Sequence, residues 1–458
     1  QFPEIMMLRH CLIGFLCIGL VACSSMGQSV ADQEKPIEGL SEADKVYGLS
    51  TFWKEVSYNF AHWETAGDLD WDAAYQEALS RVLATQNDYE YFRELQRFCA
   101  LLKDGHTNVW MPRELFRAHQ ARLPLLMSEV EQRAIVRNVP VEFKDQIPIG
   151  TEILTIDGKS VEDIIVQDAI PYISTSAPHM YWDIAIRSIS DVGAGILFGA
   201  VGSTAELRLQ KPDGEIVQVS MPRDYYGRKI NWTIESPKRQ LSEFRMLEGD
   251  IAYIALNDFS TSEIVDAFQA KLKALSAAKA IIIDLRKNGG GNSNNSSAIV
   301  GHFTDQPFTG AAWRTPVHDA VLKAWGKAAD NYPGLEKYRE YYEGHVYRNV
   351  EATVHQPSEG VKLAQSTVVL IGKVTASAAE DFLIMADDLP QVTTMGSPTY
   401  GSTGQPLALQ LPGGGHARIS AKRDFYPDGR EFIGVGVQPD IRVEPTVDDL
   451  RTGRDGVL

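Results

Sequence analysis

The spacing of apolar residues divides the chain into segments with different periodicities. From Ser41 to about Leu102, apolar residues recur every three or four positions, which predicts amphipathic helices. We therefore assign residues 41–118 to an N-terminal helical segment. Three stripes carry this signal: Tyr47, Phe52, Trp53 and Val56; Tyr75, Leu79, Val82 and Leu83; and Phe92, Leu95, Phe98, Leu101 and Leu102.

Residues 119–236 have a different pattern, in which short runs of β-forming residues alternate with turn signals. The run from Ile149 to Ile156 ends at Asp157-Gly158, which predicts a strand followed by a tight turn. Pro212-Asp213-Gly214 separates two further runs and predicts a hairpin. This segment is predicted to be a β-rich module.

Residues 237–458 contain apolar runs that alternate with helical stripes. The runs Ile251–Leu256, Ala280–Leu285 and Thr367–Ile371 are continuous, as in strands that are covered on both faces. Alternating strands and helices predict an α/β fold for this segment. Residues 306–360 form a long, aromatic-rich excursion between two core elements.

The N-terminus has the features of an export signal. A short basic stretch precedes an apolar run over residues 11–21 that is too short to span a membrane comfortably. The sequence around Cys23 resembles a bacterial lipoprotein cleavage box, so we expect residues 1–23 to be a signal peptide and 24–40 a flexible tether. Lipidated Cys23 would anchor the exported chain to a bacterial membrane, facing the periplasm or the cell surface. A plain secretory signal is the alternative.

Charge and cysteine content exclude several classes of function. The net charge is −16, and no cluster of Lys and Arg is evident, so we expect no nucleic-acid partner. Of four cysteines, only Cys99 lies beyond the signal, so one mature chain can form neither a disulfide framework nor a cysteine metal cluster. We expect no cofactor.

Two stretches could bind a developing negative charge. The predicted strand ending at Leu285 runs into Gly289, Gly290 and Gly291, where backbone N–H groups could form an anion-binding nest. A flexible strand–helix turn explains the same glycines. Ser377 precedes a predicted helix from Ala378, whose N-terminus favours negative charge.

Local pattern alone does not make Ser377 a nucleophile. Ser377 and Glu380 have the spacing of a helix capping box, which is the more common explanation. A reactive serine also needs a base. His106, in Asp104-Gly105-His106-Thr107, is a candidate, although a single histidine is usually structural.

Six motifs occur in an order that resembles one family, the tail-specific (C-terminal processing) and tricorn-core serine peptidases, which include retinoid-binding relatives. The resemblance covers roughly residues 45–458, and it implies a crotonase/Clp protease-like catalytic core and a PDZ-like β-rich module. The motifs are Asp104–Thr107, Gly150–Asp157, Ile281–Gly291, Gly372–Phe382, Gly396–Gly404 and Gly434–Ile441.

The resemblance also implies a mechanism. Where the tail-specific branch has a lysine base, this chain has Ser402, whereas His106 matches the histidine of the tricorn-like branch. The implied function is a serine endopeptidase that acts on exported proteins or peptides. In it Ser377 is the nucleophile, His106 the base, and Gly289, Gly290 and Ala378 the oxyanion donors.

The acid that orients the histidine is less well defined by the motifs. The tricorn-like tetrad has a serine directly before its histidine, where this chain has Gly105, and a glutamate near its C-terminal motif. Glu431 is the nearest acid to that place and is our predicted third catalytic residue. Glu380, Asp104 and Asp424 remain alternatives. A catalytically inactive ligand-binding lipoprotein and an esterase are the alternative functions.

Overall fold

The computed structural model describes residues 39–188, 193–235 and 239–458, and residues 39–458 form one compact unit. The predicted signal peptide, its Cys23 and residues 24–38 of the tether lie outside the described residues. None of the helices in the described ranges has the length and apolar content to cross a membrane.

The predicted N-terminal helices are present, but their buried face differs slightly from the predicted stripe. Leu49, Phe52 and Val56 are fully buried, whereas Tyr47 is 68% exposed because it lies off the face that these residues define. The elements are α1 (Glu42–Asn59), α2 (Trp63–Ala66), α3 (Trp71–Ala84), α4 (Asp88–Ala100), β1 (Asn108–Trp110) and α5 (Arg113–His119).

The segment after α5 is the predicted β-rich module. Its main sheet is antiparallel with the order β3-β4-β5-β8-β9, and β6 pairs with β5. Asp157 and Gly158 both have positive φ, at 52° and 82°, which confirms the tight turn. The elements are β2 (Gln120–Arg122), β3 (Leu126–Val130), β4 (Arg133–Asn138), β5 (Glu152–Ile156), β6 (Lys159–Ser160), α6 (Val161–Asp163), α7 (Met180–Arg187), β7 (Phe198–Ala200), β8 (Thr204–Gln210) and β9 (Ile216–Pro222).

The rest of the described chain contains a six-stranded sheet and its helices, which confirms the predicted α/β class. The strands are β10 (Ser242–Leu247), β11 (Ile251–Leu256), β12 (Ala280–Asp284), β13 (Phe308–Thr309), β14 (Ala312–Pro316), β15 (Tyr347–Val350), β16 (Val354–His355), β17 (Thr367–Ile371), β18 (Val392–Gly396), β19 (Pro406–Gln410), β20 (His416–Ser420), β21 (Arg423–Phe425) and β22 (Ile441–Arg442). The helices are α8 (Glu263–Gln269), α9 (Leu272–Ala277), α10 (Ser293–Val300), α11 (Ala320–Lys327), α12 (Arg339–Glu343), α13 (Ala378–Ala386) and α14 (Val447–Thr452).

The central sheet has the order β10-β11-β12-β17-β18-β22. All its pairs are parallel except β10 with β11. Because β12 and β17 are parallel neighbours, the turns that follow them meet at one edge of the sheet. These two turns carry the glycines at 289–291 and Ser377.

A second, smaller sheet brings the N-terminal segment to the core. β1 pairs antiparallel with β20, with Asn108 opposite Arg418, and β20 pairs with β19. This pairing joins residues more than 300 positions apart in sequence. It places His106, two residues before β1, beside the loop that contains Ser402.

Candidate active site

Ser377 lies where β17 gives way to α13, in a strained backbone conformation. Its φ is 55° and its ψ is −123°, a region that disfavours residues with a Cβ. From Thr375 to Ala386, only Ser377 is not buried. The serine is thus a partly exposed residue at the tip of an otherwise buried turn and helix. A residue that only caps a helix usually has a β-region backbone, which Ser377 does not have.

The glycine turn packs directly against this serine. A Cβ at Gly290, whose φ is 102°, would lie 2.6 Å from the Cβ of Ser377 and 2.7 Å from the carbonyl oxygen of Ala376. Only glycine therefore fits at position 290 without displacing the nucleophile loop. The Asn288 carbonyl oxygen also accepts the Ala376 N–H at 3.2 Å, which fixes one turn to the other.

Two backbone N–H groups beside Ser377 are available to a ligand. Within the described residues, the N–H groups of Gly289 and Ala378 have no acceptor. The N–H of Gly290, the third predicted oxyanion donor, donates to Oδ1 of Asn288 at 2.9 Å in this structure. The predicted Gly289 and Ala378 remain as the pair of donors that could stabilise a tetrahedral oxyanion.

Glu380 ties the nucleophile turn to the loop after β18. Its Oε2 accepts the Ser377 N–H at 2.9 Å, and its Oε1 accepts the Gly401 N–H at 2.7 Å and the Thr399 hydroxyl at 2.5 Å. Burial raises the pKa of this carboxyl to about 8, although these three donors act in the opposite direction. Both oxygens of Glu380 accept hydrogen bonds from donors of the two loops. Glu380 therefore has a structural position and is not hydrogen-bonded to His106.

His106 makes its hydrogen bond with a serine, not with an acid. Its Nδ1 lies 2.8 Å from Oγ of Ser402, and the same Oγ lies 3.5 Å from Oδ1 of Asp104. Within the described residues, Nε2 of His106 has no hydrogen-bond partner. No hydrogen bond links His106 to Ser377 directly, but the Tyr400 N–H donates to the Thr375 carbonyl oxygen at 2.9 Å, which joins their loops.

The electrostatic environment keeps His106 neutral. Burial and the nearby Arg418 guanidinium lower the pKa of His106 to about 4, although Asp104 acts in the opposite direction. Neutral imidazole can accept a proton at physiological pH, which imidazolium cannot. The imidazole therefore has a lone pair available to accept a proton at neutral pH.

We expect Arg418→Gln to raise the pKa of His106, because one of the charges that disfavour imidazolium is removed. In wild type, kcat/KM should fall as the pH is lowered through about 4 rather than through the ordinary value of 6.5. In the Gln variant this acid limb should move to higher pH, which a pH profile of peptide hydrolysis measures. Arg418→Lys keeps the charge and is the control. An unshifted limb in the Gln variant would contradict this assignment.

Glu431, the predicted third catalytic residue, does not contact His106. Its carboxylate pairs with the Arg423 guanidinium and its side chain is half exposed. Asp424, one of the alternatives, is fully buried and pairs with Lys422 at 2.7 Å. Of the acids considered from the sequence, Asp104 lies nearest to the hydrogen-bonded side of His106.

The residues that sequence reasoning missed are the polar partners of this side of His106. The motifs give Ser402 only as the residue in place of a lysine and Thr107 only as a motif member, and they do not indicate Ser420. Thr107 and Ser420 both bond Asp104. The motif Asp104-Gly105-His106-Thr107 contains two members of this network, but their pairing with residues 402 and 420 depends on the β1–β20 contact.

Comparisons with known proteins agree with this architecture. Residues 250–443 match the sequence profile of peptidase family S41. The chain is 24% identical over 395 residues to a carboxyl-terminal-processing protease of Picosynechococcus sp., covering 85% of this chain and 80% of that protein. It is 21% identical over 309 residues to the carboxy-terminal processing protease CtpA of Bacillus subtilis, covering 68% of this chain but only 52% of that protein.

A solved structure shows the same fold over most of the chain. The crystal structure of mature CPAF superposes with a TM-score of 0.70 at 16% identity, covering 90% of this chain and 94% of that one. The resemblance that the motifs predicted is therefore confirmed by sequence: this chain is similar to peptidase family S41 over residues 250–443 and to C-terminal processing proteases, and the structural match shows a shared fold.

Proposed function

We propose that this chain is a serine endopeptidase that cleaves proteins or peptides through an acyl-enzyme at Ser377. The main observation behind this proposal is the partly exposed, strained serine at the start of buried α13, together with the N–H groups of Gly289 and Ala378, which have no acceptor within the described residues. His106, held neutral and with Nε2 unengaged, is the base.

The reaction follows from these positions. The Ser377 hydroxyl attacks the scissile carbonyl and passes its proton to Nε2 of His106, while the two N–H groups stabilise the oxyanion. The C–N bond then breaks, and the histidine gives the proton to the leaving amine. Water hydrolyses the acyl-enzyme by the same route, which restores Ser377.

The proposal also includes the architecture of the chain. The central α/β sheet, with the two turns that carry the site, supports a crotonase/Clp protease-like core. The β-rich segment supports a PDZ-like module. Among the described strands of that module, β3 pairs only with β4, and it contacts α7. An extended peptide could add to an unpaired strand of this kind by backbone hydrogen bonds.

Two adjoining cavities along β3 support peptide docking there. A cavity of about 230 Å³ and one of about 470 Å³ share Arg137 and Arg187 in their walls. The second also includes Gly372 and Lys373, a few residues before Ser377. A peptide in this groove would therefore run from the β-rich module towards the nucleophile. The arginines lie beside β3 and outside the Gly150–Asp157 motif.

Export and lipid anchoring belong to the same proposal. They rest on the apolar run before Cys23 and on the small polar residues that follow it. A tethered peptidase of this kind would meet exported proteins or peptides outside the cytoplasm.

A fluorophosphonate probe tests the proposed function. The folded wild-type protein should form an adduct that peptide mass spectrometry locates on Ser377, and heat-denatured protein, which lacks the assembled site, should not. Folded protein should also hydrolyse peptides. Absence of labelling would favour a ligand-binding protein, and turnover of esters without turnover of peptides would favour an esterase.

A further inference from the structure

We propose that Asp104 and Ser402 are positioning residues that act in series to fix the tautomer of His106. Asp104 orients the Ser402 hydroxyl, and that hydroxyl holds the His106 proton on Nδ1. The inference rests on the proposed role of His106 as the base. It replaces the predicted Glu431 with a different acid that reaches the histidine through a serine.

The first step is that Asp104 is a fixed acceptor. It is fully buried, and its Oδ2 accepts hydrogen bonds from the Thr107 and Ser420 hydroxyls, both at 2.6 Å. Burial acts to raise the pKa of Asp104, but the hydrogen bonds from these hydroxyls favour the charged carboxylate, and the pKa is lowered overall. The carboxylate is therefore ionised at neutral pH. Its second oxygen, Oδ1, faces Ser402.

The second step concerns the single proton of the Ser402 hydroxyl. The proton can point to Nδ1 of His106 at 2.8 Å or to Oδ1 of Asp104 at 3.5 Å. An ionised carboxylate can only accept hydrogen bonds. If the Ser402 proton pointed away from Asp104, Oγ of Ser402 and Oδ1 of Asp104 would face each other in a buried site without a proton between them. With the proton directed to Asp104, Oγ accepts a hydrogen bond from the imidazole.

The third step is the consequence for the histidine. If Oγ of Ser402 accepts, Nδ1 of His106 carries the proton and Nε2 has the lone pair. Nε2 is the nitrogen without a partner within the described residues, so it is free to take the proton of Ser377. The opposite tautomer would carry a proton on Nε2 and could not act as the base.

Gly105 makes room for this arrangement. A Cβ at position 105 would lie 2.9 Å from Oγ of Ser402 and 2.4 Å from Cε1 of Tyr400. The side chain of Ser402 thus occupies the space beside the histidine that a residue at 105 would need. In this chain a hydroxyl reaches Nδ1 from the loop after β18 and not from the residue that precedes His106.

Other acids are committed elsewhere. Glu380 accepts three donors from the two loops, Asp424 pairs with Lys422, and Glu431 pairs with Arg423. Asp104 is the acid whose carboxylate reaches a hydrogen-bond partner of His106.

The deciding experiment is ¹⁵N NMR of histidine-labelled wild-type protein, with the His106 signals assigned by comparison with His106→Gln. The two ring nitrogens of a neutral imidazole differ strongly in chemical shift according to which one carries the proton. We expect the proton on Nδ1. A proton on Nε2 would overturn the proposal, whatever the activity.

Variants then test the series. Ser402→Ala should lower kcat by about 10- to 100-fold and Asp104→Asn by about 10²- to 10⁴-fold, with KM little changed, because neither residue lies at the oxyanion donors or in the β3 groove. Ser174→Ala is the matched control. Its hydroxyl bonds the backbone N–H and carbonyl of Asp104, at 3.2 and 2.8 Å, and not the carboxylate. Equal kinetics for Ser402→Ala and Ser174→Ala would refute the series.

Failure of this inference is distinguishable from failure of the proposed function. If the fluorophosphonate does not label the wild-type protein, the proposed peptidase function is refuted. The tautomer of His106 measured by NMR still tests the role of Ser402. If the wild-type protein is labelled but the proton of His106 lies on Nε2, or Ser402→Ala has the same kinetics as Ser174→Ala, only the proposed roles of Asp104 and Ser402 are refuted.

Discussion

Ser377→Ala should abolish fluorophosphonate labelling and lower kcat for peptide hydrolysis by about 10⁴-fold or more, because the covalent route disappears with the hydroxyl. The variant should still fold, since its neighbours bond the Ser377 backbone: Glu380 accepts its N–H, and its carbonyl accepts the N–H groups of Glu380 and Asp381. Labelling with mass-spectrometric detection and steady-state kinetics measure both effects, and thermal unfolding checks the fold.

A second replacement at the same position separates strain from chemistry. Ser377→Gly also removes the hydroxyl, but glycine adopts a φ of 55° at little cost, so this variant should be inactive and at least as stable as Ser377→Ala. Ser276→Ala, at an exposed position of α9 where the hydroxyl bonds the Lys273 carbonyl oxygen, is the control that should leave labelling unchanged. Labelling that persists in Ser377→Ala would refute the assignment of the nucleophile.

His106→Ala should slow both labelling and hydrolysis by about 10²- to 10⁴-fold, the range that a positioned base contributes. The acid limb of the pH profile assigned to His106 should vanish with the imidazole, while Ser377 and its oxyanion donors remain in place. Rates of probe labelling across pH, compared with wild type, measure both effects.

The matched control is His119→Ala, because this histidine stacks on Tyr89 in the N-terminal segment and belongs to none of the site loops. It should label at the wild-type rate. If His106→Ala also labels at the wild-type rate, another group takes the Ser377 proton. Lys422, whose charge acts on His106, is the first to examine in that case.

Stability and catalysis are expected to depend on the same buried polar groups. Ser402, Asp104, Thr107 and Ser420 are all buried and bond one another or His106. Removing one partner leaves another unsatisfied in a dry site, which costs about 1–3 kcal/mol. Activity measurements on these variants therefore need a parallel measurement of unfolding.

The sequence by itself determined the fold class, the resemblance to a peptidase family and the two residues at the centre of the proposed chemistry. Apolar periodicity predicted the helices before β1 and the buried strands β11, β12 and β17, because burial on one face or on both leaves a regular pattern. The order of six motifs then selected Ser377 and His106 from many serines and ten histidines. The family comparison confirmed the peptidase class that these motifs implied.

Only the tertiary structure decided which groups contact each other. Ser402 is 296 positions from His106, and the pairing of β1 with β20 brings them together, so no local pattern could report their hydrogen bond. The same reason explains why two predicted site residues have other partners in the structure. Glu431 lies near the expected motif, but its charge is paired with Arg423, and Gly290 lies in the expected turn, but its N–H is taken by Asn288. Sequence identifies the residue types that chemistry requires, whereas the direction of each donor and acceptor is fixed by contacts between distant segments.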